Sequence, residues 1–95
     1  MIKGKTKSGF DFEVNEKVFS DYRFAYLSRK CRSDDVITSN DAGIDLALLI
    51  LGDKQLNALM EHCKDMDGYT SISDVSDEII EIQGICAKES ESAKK

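Results

Sequence analysis

The side chains of this 95-residue chain that could do chemistry are one histidine, three cysteines and scattered carboxylates. On a helix, His62 and the adjacent Cys63 point about 100° apart, so the two cannot share a metal ion. Cys31, Cys63 and Cys86 stand about thirty residues apart with no C-x-x-C pair, which argues against a disulfide framework or a zinc module. The sequence predicts free, partly buried thiols and an ordinary surface or boundary histidine.

A short acidic segment, Asp65-Met66-Asp67-Gly68, imitates a calcium-binding loop. Aligning Gly68 with the invariant glycine of such a loop puts Cys63 at the first ligand position, where a hard cation rejects a soft thiol. The final bidentate glutamate is replaced by Asp74, and the usually apolar eighth position is Thr70. The segment therefore predicts an acidic turn after a helix and no metal site.

The remaining polar residues do not form a recognisable catalytic pattern. The sequence has no serine nucleophile elbow, no phosphate-binding glycine loop and no helical H-E-x-x-H motif. Carboxylate pairs such as Asp34-Asp35 fall in polar linkers, where burial would not raise a pKa for acid–base catalysis. We therefore expect a protein that is not an enzyme and that carries no cofactor.

Charge is segregated along the chain. Residues 1–32 carry eight basic and four acidic side chains, whereas residues 33–95 carry five and fourteen. The net charge of −5 repels polyanions, which disfavours binding to nucleic acid or to an anionic membrane. The longest apolar run, 46–51, is far shorter than the ~20 residues that span a bilayer. Length and composition predict one small domain over 1–87 and a disordered polar tail over 88–95.

The first fourteen residues alternate with a period of two around a glycine, which predicts a two-stranded antiparallel β-hairpin over 2–14. A three-residue loop over 7–9, with Gly9 left-handed, gives the favoured register. This register gathers the apolar residues on one face and pairs opposite charges on the other. The predicted partners are Ile2 with Val14, Lys3 with Glu13, Gly4 with Phe12, Lys5 with Asp11 and Thr6 with Phe10. Two strands alone are marginally stable, so we expect the hairpin to pack on helices.

About four short helices are predicted to follow the hairpin, so the expected fold class is mainly α. Capping residues and glycines set their limits. The first runs over 15–32 from Asn15, the second from Asp41 to a stop at Gly52, the third from Asp53 to a stop at Gly68, and the fourth from Ser71 or Ser73 through Cys86. The segment 33–40 is predicted to be a polar connector. Because the second helix is apolar nearly all round, we expect it to be the most buried element.

The first helix carries more apolar surface than one docking face needs. At 100° per residue, one arc holds Val18, Phe19, Tyr22, Ala25 and Tyr26, and a second holds Phe24, Leu27 and Cys31. Two arcs indicate either a central helix or a helix that faces a partner. Phe24, Leu27 and Cys31 are therefore the candidate partner-binding face. Packing of these residues under the hairpin or against the fourth helix is the alternative.

Several short motifs follow one another in a recognisable order. A strand at 9–14 and an acid–aromatic segment at 21–24 come first. An apolar helix that ends in Leu51-Gly52-Asp53 follows them. After it come the segment Leu59 to His62, the acidic turn 65–68 and the pair Glu81-Ile82. With these motifs the chain resembles, over about residues 8–83, the small tail-assembly chaperones of long-tailed (siphovirus-type) bacteriophages or prophages of Gram-positive hosts. The chain departs from that family in lacking a proline after the acidic turn and in having Tyr22 where a Trp is expected.

The resemblance implies a binding role in the bacterial host cytoplasm. Such chaperones form homo-oligomers, bind the tape-measure protein, keep it soluble and recruit tail-tube subunits, and they are not expected in the mature virion. The terminal Lys94-Lys95 codons also suit a slippery sequence that would give a longer, frameshifted product. The alternative is a small acidic regulatory or adaptor module, phage or bacterial, that binds a host protein.

Overall fold

The hairpin of strands β1 (Ile2–Lys5) and β2 (Asp11–Val14) has the predicted register, with Ile2 opposite Val14 and Lys5 opposite Asp11. The amide of Gly9, whose φ is 95°, donates to the carbonyl of Thr6 at 2.9 Å and closes the three-residue loop. A side chain at Gly4 would stand 2.7 Å from the ring of Phe12, so a larger residue here would displace that buried ring. The structure, a computed structural model, describes the backbone of residues 1–94 and the side chains of residues 1–89.

The predicted first helix is in fact two helices that meet at Asp21. A 3₁₀ helix spans Glu16–Ser20, and α1 spans Tyr22–Lys30. Asn15 caps the 3₁₀ helix, since its side chain accepts a hydrogen bond from the amide of Lys17 at 3.0 Å. Asp21 is extended and its carboxylate accepts from the amide of Arg23 at 2.8 Å, so it starts a new helix. The prediction of one helix over 15–32 is therefore wrong, because an aspartate competes for backbone amides.

Helix α2 (Val36–His62) begins five residues before the predicted cap Asp41. Polar side chains of the predicted connector anchor its first turn. The hydroxyl of Thr38 donates to the carboxylate of Asp35 at 2.6 Å, and that of Ser39 donates to the carbonyl of Cys31 at 2.8 Å. The prediction that 33–40 is a connector is therefore wrong from Val36 onward.

The predicted second and third helices run on as α2 across a kink at Gly52. Gly52 has φ 79° and ψ 166°, a backbone region open essentially to glycine alone. Residues 1–94 thus contain three α-helices, not about four. The mainly helical fold with an N-terminal two-stranded hairpin is confirmed, and the helix count is corrected.

A tight turn joins α2 to α3 (Ile72–Lys94). Helix α2 ends at His62, before the predicted stop at Gly68, because Asp65 organises the turn instead: its carboxylate accepts from the amides of Asp67 at 2.9 Å and Tyr69 at 3.0 Å. Lys88 and Glu89 belong to α3, where the sequence predicts the start of a disordered tail. The side chains of 90–94 and residue 95 of that predicted tail lie outside the described residues.

The core lies where the hairpin, α2 and α3 meet. Its apolar stripe on α3 is as predicted, with Ile79, Ile82 and Cys86 buried and Val75 packed against them. The hairpin and α2 supply the rest: Phe10, Phe12, Val14, Leu46, Ala47, Ile50, Leu51 and Leu59. None of the helices in residues 1–94 is long and apolar enough to cross a membrane.

Candidate functional site

The three predicted partner-binding residues lie together on the inward side of α1. Phe24, Leu27 and Cys31 are half-buried and pack against the core. The ring of Phe24 also meets the ring of Phe19 edge-on, at 5.1 Å between centroids. This packing gives the three residues a structural role, and their contact with a partner stays a prediction.

The opposite side of α1 is open to solvent. Tyr22 is 85% exposed and Tyr26 is 52% exposed. The sequence places Val18, Phe19 and the two tyrosines on one apolar arc of a single helix. The break at Asp21 separates Val18 and Phe19 from that arc. Val18 and Phe19 pack against the core, which leaves the two tyrosines without them. The ammonium group of Lys30 stands 4.6 Å from the centre of the Tyr26 ring.

Helix α2 also has an open apolar stripe, although its first half is the segment that the sequence predicts to be the most buried element. Ile37, Ile44 and Leu48 are 72%, 60% and 38% exposed. At 100° per residue they lie within about 40° of one another. Leu46 and Ile50 are buried on the other side of the same helix. Helix α2 therefore faces the core with one side and solvent with the other.

The two open sides meet at a groove between α1 and α2. The groove has a volume of about 610 Å³, and Tyr26, Leu27, Leu48 and Leu49 line it, with Arg23 and Asp45 beside them. We call the exposed apolar residues of the two helices the open face: Tyr22, Tyr26, Ile37, Ile44 and Leu48. An apolar groove between two helices can accept the apolar ridge of a further helix. The open face offers apolar contact area, and its five side chains carry no charge.

Charges of opposite sign flank the open face. Helix α1 carries the exposed residues Arg29 and Lys30, and α2 carries Asp41 and Asp45. Contact with Tyr26, and then the charge of Asp45, raise the pKa of Lys30. The α1 edge of the open face is therefore basic and its α2 edge acidic, and the charges of Lys30 and Asp45 already act on each other across the groove within one chain.

Arg23, at the end of the groove, is already paired within the chain. Its guanidinium donates to both carboxylate oxygens of Asp21, at 3.0 and 2.9 Å. These side-chain bonds, followed by the bond from the amide of Arg23, lower the pKa of Asp21 to about 2. Arg23 therefore adds little free positive charge to the basic edge.

A polar network fastens the hairpin loop to α2 and α3. The hydroxyls of Thr6 and Ser8 both donate to Oε1 of the buried Glu78, at 2.8 and 2.6 Å. Ser8 Oγ also lies 2.9 Å from Nε2 of His62. Because a hydroxyl has one proton and Ser8 gives it to Glu78, Ser8 must accept from His62, so Nε2 carries a proton. The His62 ring also packs on Phe10, with centroids 5.5 Å apart.

This network contains serine, histidine and glutamate, but its wiring is not that of a catalytic triad. In a triad the histidine takes the serine proton and the carboxylate orients the histidine. Here the proton of Ser8 points at Glu78, and His62 is the donor. The arrangement therefore holds the hairpin loop, α2 and α3 together.

The sequence pattern does not predict this network, although the sequence contains one signal of a buried carboxylate. Glu78 lies three residues after Val75 and four before Ile82, so it falls on the buried stripe of α3. A carboxylate at such a position requires hydrogen-bond donors. Its donors in the hairpin are more than seventy residues away in sequence, which no local pattern reveals.

The cysteines are free, as predicted. Burial raises the pKa of Cys31, Cys63 and Cys86, so the thiols stay protonated at neutral pH. The turn at 65–68 uses the carboxylate of Asp65 to bind backbone amides. Among the described residues, no group of three potential ligands is placed to hold a metal ion.

Comparison of the chain with models of known families, with curated proteins and with solved structures finds no match.

Proposed function

We propose that this chain is a tail-assembly chaperone of a long-tailed phage or prophage. It binds the tape-measure protein in the cytoplasm of the bacterial host, keeps it soluble and recruits tail-tube subunits. It acts by binding, without catalysis or a cofactor, and it leaves before the virion is complete. The observation that carries the proposal is the open face, which exposes five large apolar side chains on two neighbouring helices.

The chemistry of the open face suits a helical client. A helix lays an apolar ridge with anchors at i, i+3, i+4 and i+7 into a groove of this kind. Tyrosines are favourable contact residues because they offer a large apolar surface and lose little conformational freedom. The largest apolar patch of a soluble monomer covers about 300–600 Å² and is often functional. A long helical tape-measure protein has many such ridges, so several chaperones could coat one client.

The motifs that carry the family resemblance also support the proposal. Leu51-Gly52-Asp53 lies at the kink of α2, and 65–68 forms the turn before α3. Both motifs thus lie at bends that set the directions of the helices. A family that shares these bends would share the arrangement of helices that leaves the open face exposed.

Co-expression with the tape-measure protein of the same phage or prophage tests the proposal. We expect the tape-measure protein to be largely insoluble alone and to become soluble, and to co-purify, when this chain is present. An unchanged soluble fraction, with this chain folded by circular dichroism, would contradict the proposal. That outcome would favour the alternative of an acidic adaptor that binds a host protein.

A further inference from the structure

We propose that a second copy of this chain covers the open face until a client displaces it. In this dimer α1 of each copy packs on α2 of the other, so that two helical hairpins form a four-helix arrangement. The inference rests on the proposed function, because it names what regulates access to the same face. It commits to a symmetric, closed dimer, in which each contact occurs twice.

Charge complementarity selects this arrangement. Arg29 lies about 20° from Tyr22 around α1, and Asp41 lies about 40° from Ile37 around α2, so each charge is on the open side of its helix. A two-fold axis parallel to the helices places α1 over α2 of the copy and brings each basic edge to an acidic edge. An axis perpendicular to the helices would place α1 on α1 and bring like charges together, which is unfavourable.

The apolar residues of the two helices also complement each other. Helix α1 contributes the two tyrosines and α2 contributes three aliphatic side chains, so crossed pairing sets rings against Ile37, Ile44 and Leu48. Side chains of these types present on the order of 200 Å² each when fully exposed. From their exposed fractions, the five side chains together expose on the order of 600 Å² per copy, close to the ~800 Å² that each partner buries in a standard interface.

Within residues 1–95, the segment after Cys86 reads AKESESAKK and has no large apolar side chain to insert into the groove. A polyanion is repelled by the net charge of −5. A second copy brings both a matching apolar surface and matching charges.

Two single charge reversals and their mixture test the proposal. The dimer has two equivalent contacts, each between Arg29 of one copy and Asp41 of the other. Arg29→Glu makes both contacts acid against acid, and Asp41→Lys makes both base against base. A heterodimer of the two variants pairs the two substituted side chains, acid with base, at one contact, and native Asp41 with native Arg29 at the other. Sedimentation velocity over a concentration series measures the dimer dissociation constant of each sample.

We expect the wild-type chain to dimerise, each single variant to dimerise at least about tenfold more weakly, and the equimolar mixture to recover wild-type dimerisation within about threefold. Both residues are exposed, and circular dichroism and thermal unfolding check that each variant keeps the wild-type fold. A wild-type chain that stays monomeric at about 200 μM would overturn the proposal. A mixture no stronger than the single variants would also overturn it, because the charge effect would then lie within one chain.

The outcome is independent of the co-expression result. If the dimer forms but the tape-measure protein stays insoluble, the dimer stands and the proposed function fails. If the chain is monomeric but solubilises the tape-measure protein, the proposed function stands and the dimer fails.

Discussion

Glu78 joins α3 to the N-terminal hairpin through hydrogen bonds to one carboxylate oxygen. It is buried beneath the hairpin loop, and it accepts hydrogen bonds from the hydroxyls of Thr6 and Ser8 while His62 donates to Ser8. Hydrogen bonds to a charged acceptor stabilise a fold more than neutral ones do. Removal of the acceptor leaves the buried Thr6 hydroxyl without its partner, which costs more than an exposed contact.

Replacement of Glu78 measures this contribution. We expect Glu78→Ala to lower the free energy of unfolding by about 1–3 kcal/mol in urea denaturation. The matched control is Asp77→Ala, one residue earlier and exposed, which we expect to change stability by less than about 0.5 kcal/mol. Equal effects of the two substitutions would show that the network does not stabilise the hairpin on the helices.

At the residue scale the sequence predicts pairs that are local and misses pairs that are distant. The Lys5–Asp11 ion pair, at 3.8 Å, follows from the hairpin register alone. The contact of His62 with Ser8 joins residues 54 apart, and the sequence analysis treats His62 as an ordinary histidine. A distant hydrogen bond depends on how helices pack, which a local pattern does not encode.

Backbone breaks decide the shape of each element. The hairpin register is predictable because a three-residue loop places Ile2, Gly4 and Thr6 opposite Val14, Phe12 and Phe10, whereas a two-residue loop would place lysines there. The break at Asp21 is not predictable from periodicity, since the apolar spacing continues through it without a gap. The early start of α2 is missed for a similar reason. Serine and threonine are typical of linkers, and a local pattern does not show that their hydroxyls bind Asp35 and the carbonyl of Cys31.

The kink at Gly52 gives a prediction with a matched control. Gly52→Ala should lower the free energy of unfolding by about 1–3 kcal/mol, because alanine is strained at φ 79°, ψ 166° although the space around it is open. Gly84→Ala, in α3 and with equal space, should raise stability by about 0.5–1 kcal/mol. Urea denaturation of the two variants should thus shift in opposite directions. A neutral or stabilising Gly52→Ala would contradict the kink.

The exposure of apolar surface is a property of the whole molecule. The sequence shows that α1 and the first half of α2 have more apolar residues than one docking face needs, but it does not show which side stays open. The core takes Phe24 and Leu27 from α1 and Leu46 and Ile50 from α2. What remains is the open face, which lies away from Phe24 and Cys31, whereas the predicted residue Leu27 lines its groove. Tertiary packing therefore changes which residues we assign to the client.

The soluble fraction of co-expressed tape-measure protein tests directly whether the open face binds this client. Tyr26→Asp with Leu48→Asp places two charges in the groove, and Ile80→Asp places one at an exposed apolar residue of α3. Burial of an unpaired carboxylate in an interface is strongly unfavourable. We predict that the groove variant keeps its fold but loses the tape-measure protein to the insoluble fraction, while Ile80→Asp retains it. Full retention by the groove variant would contradict the account.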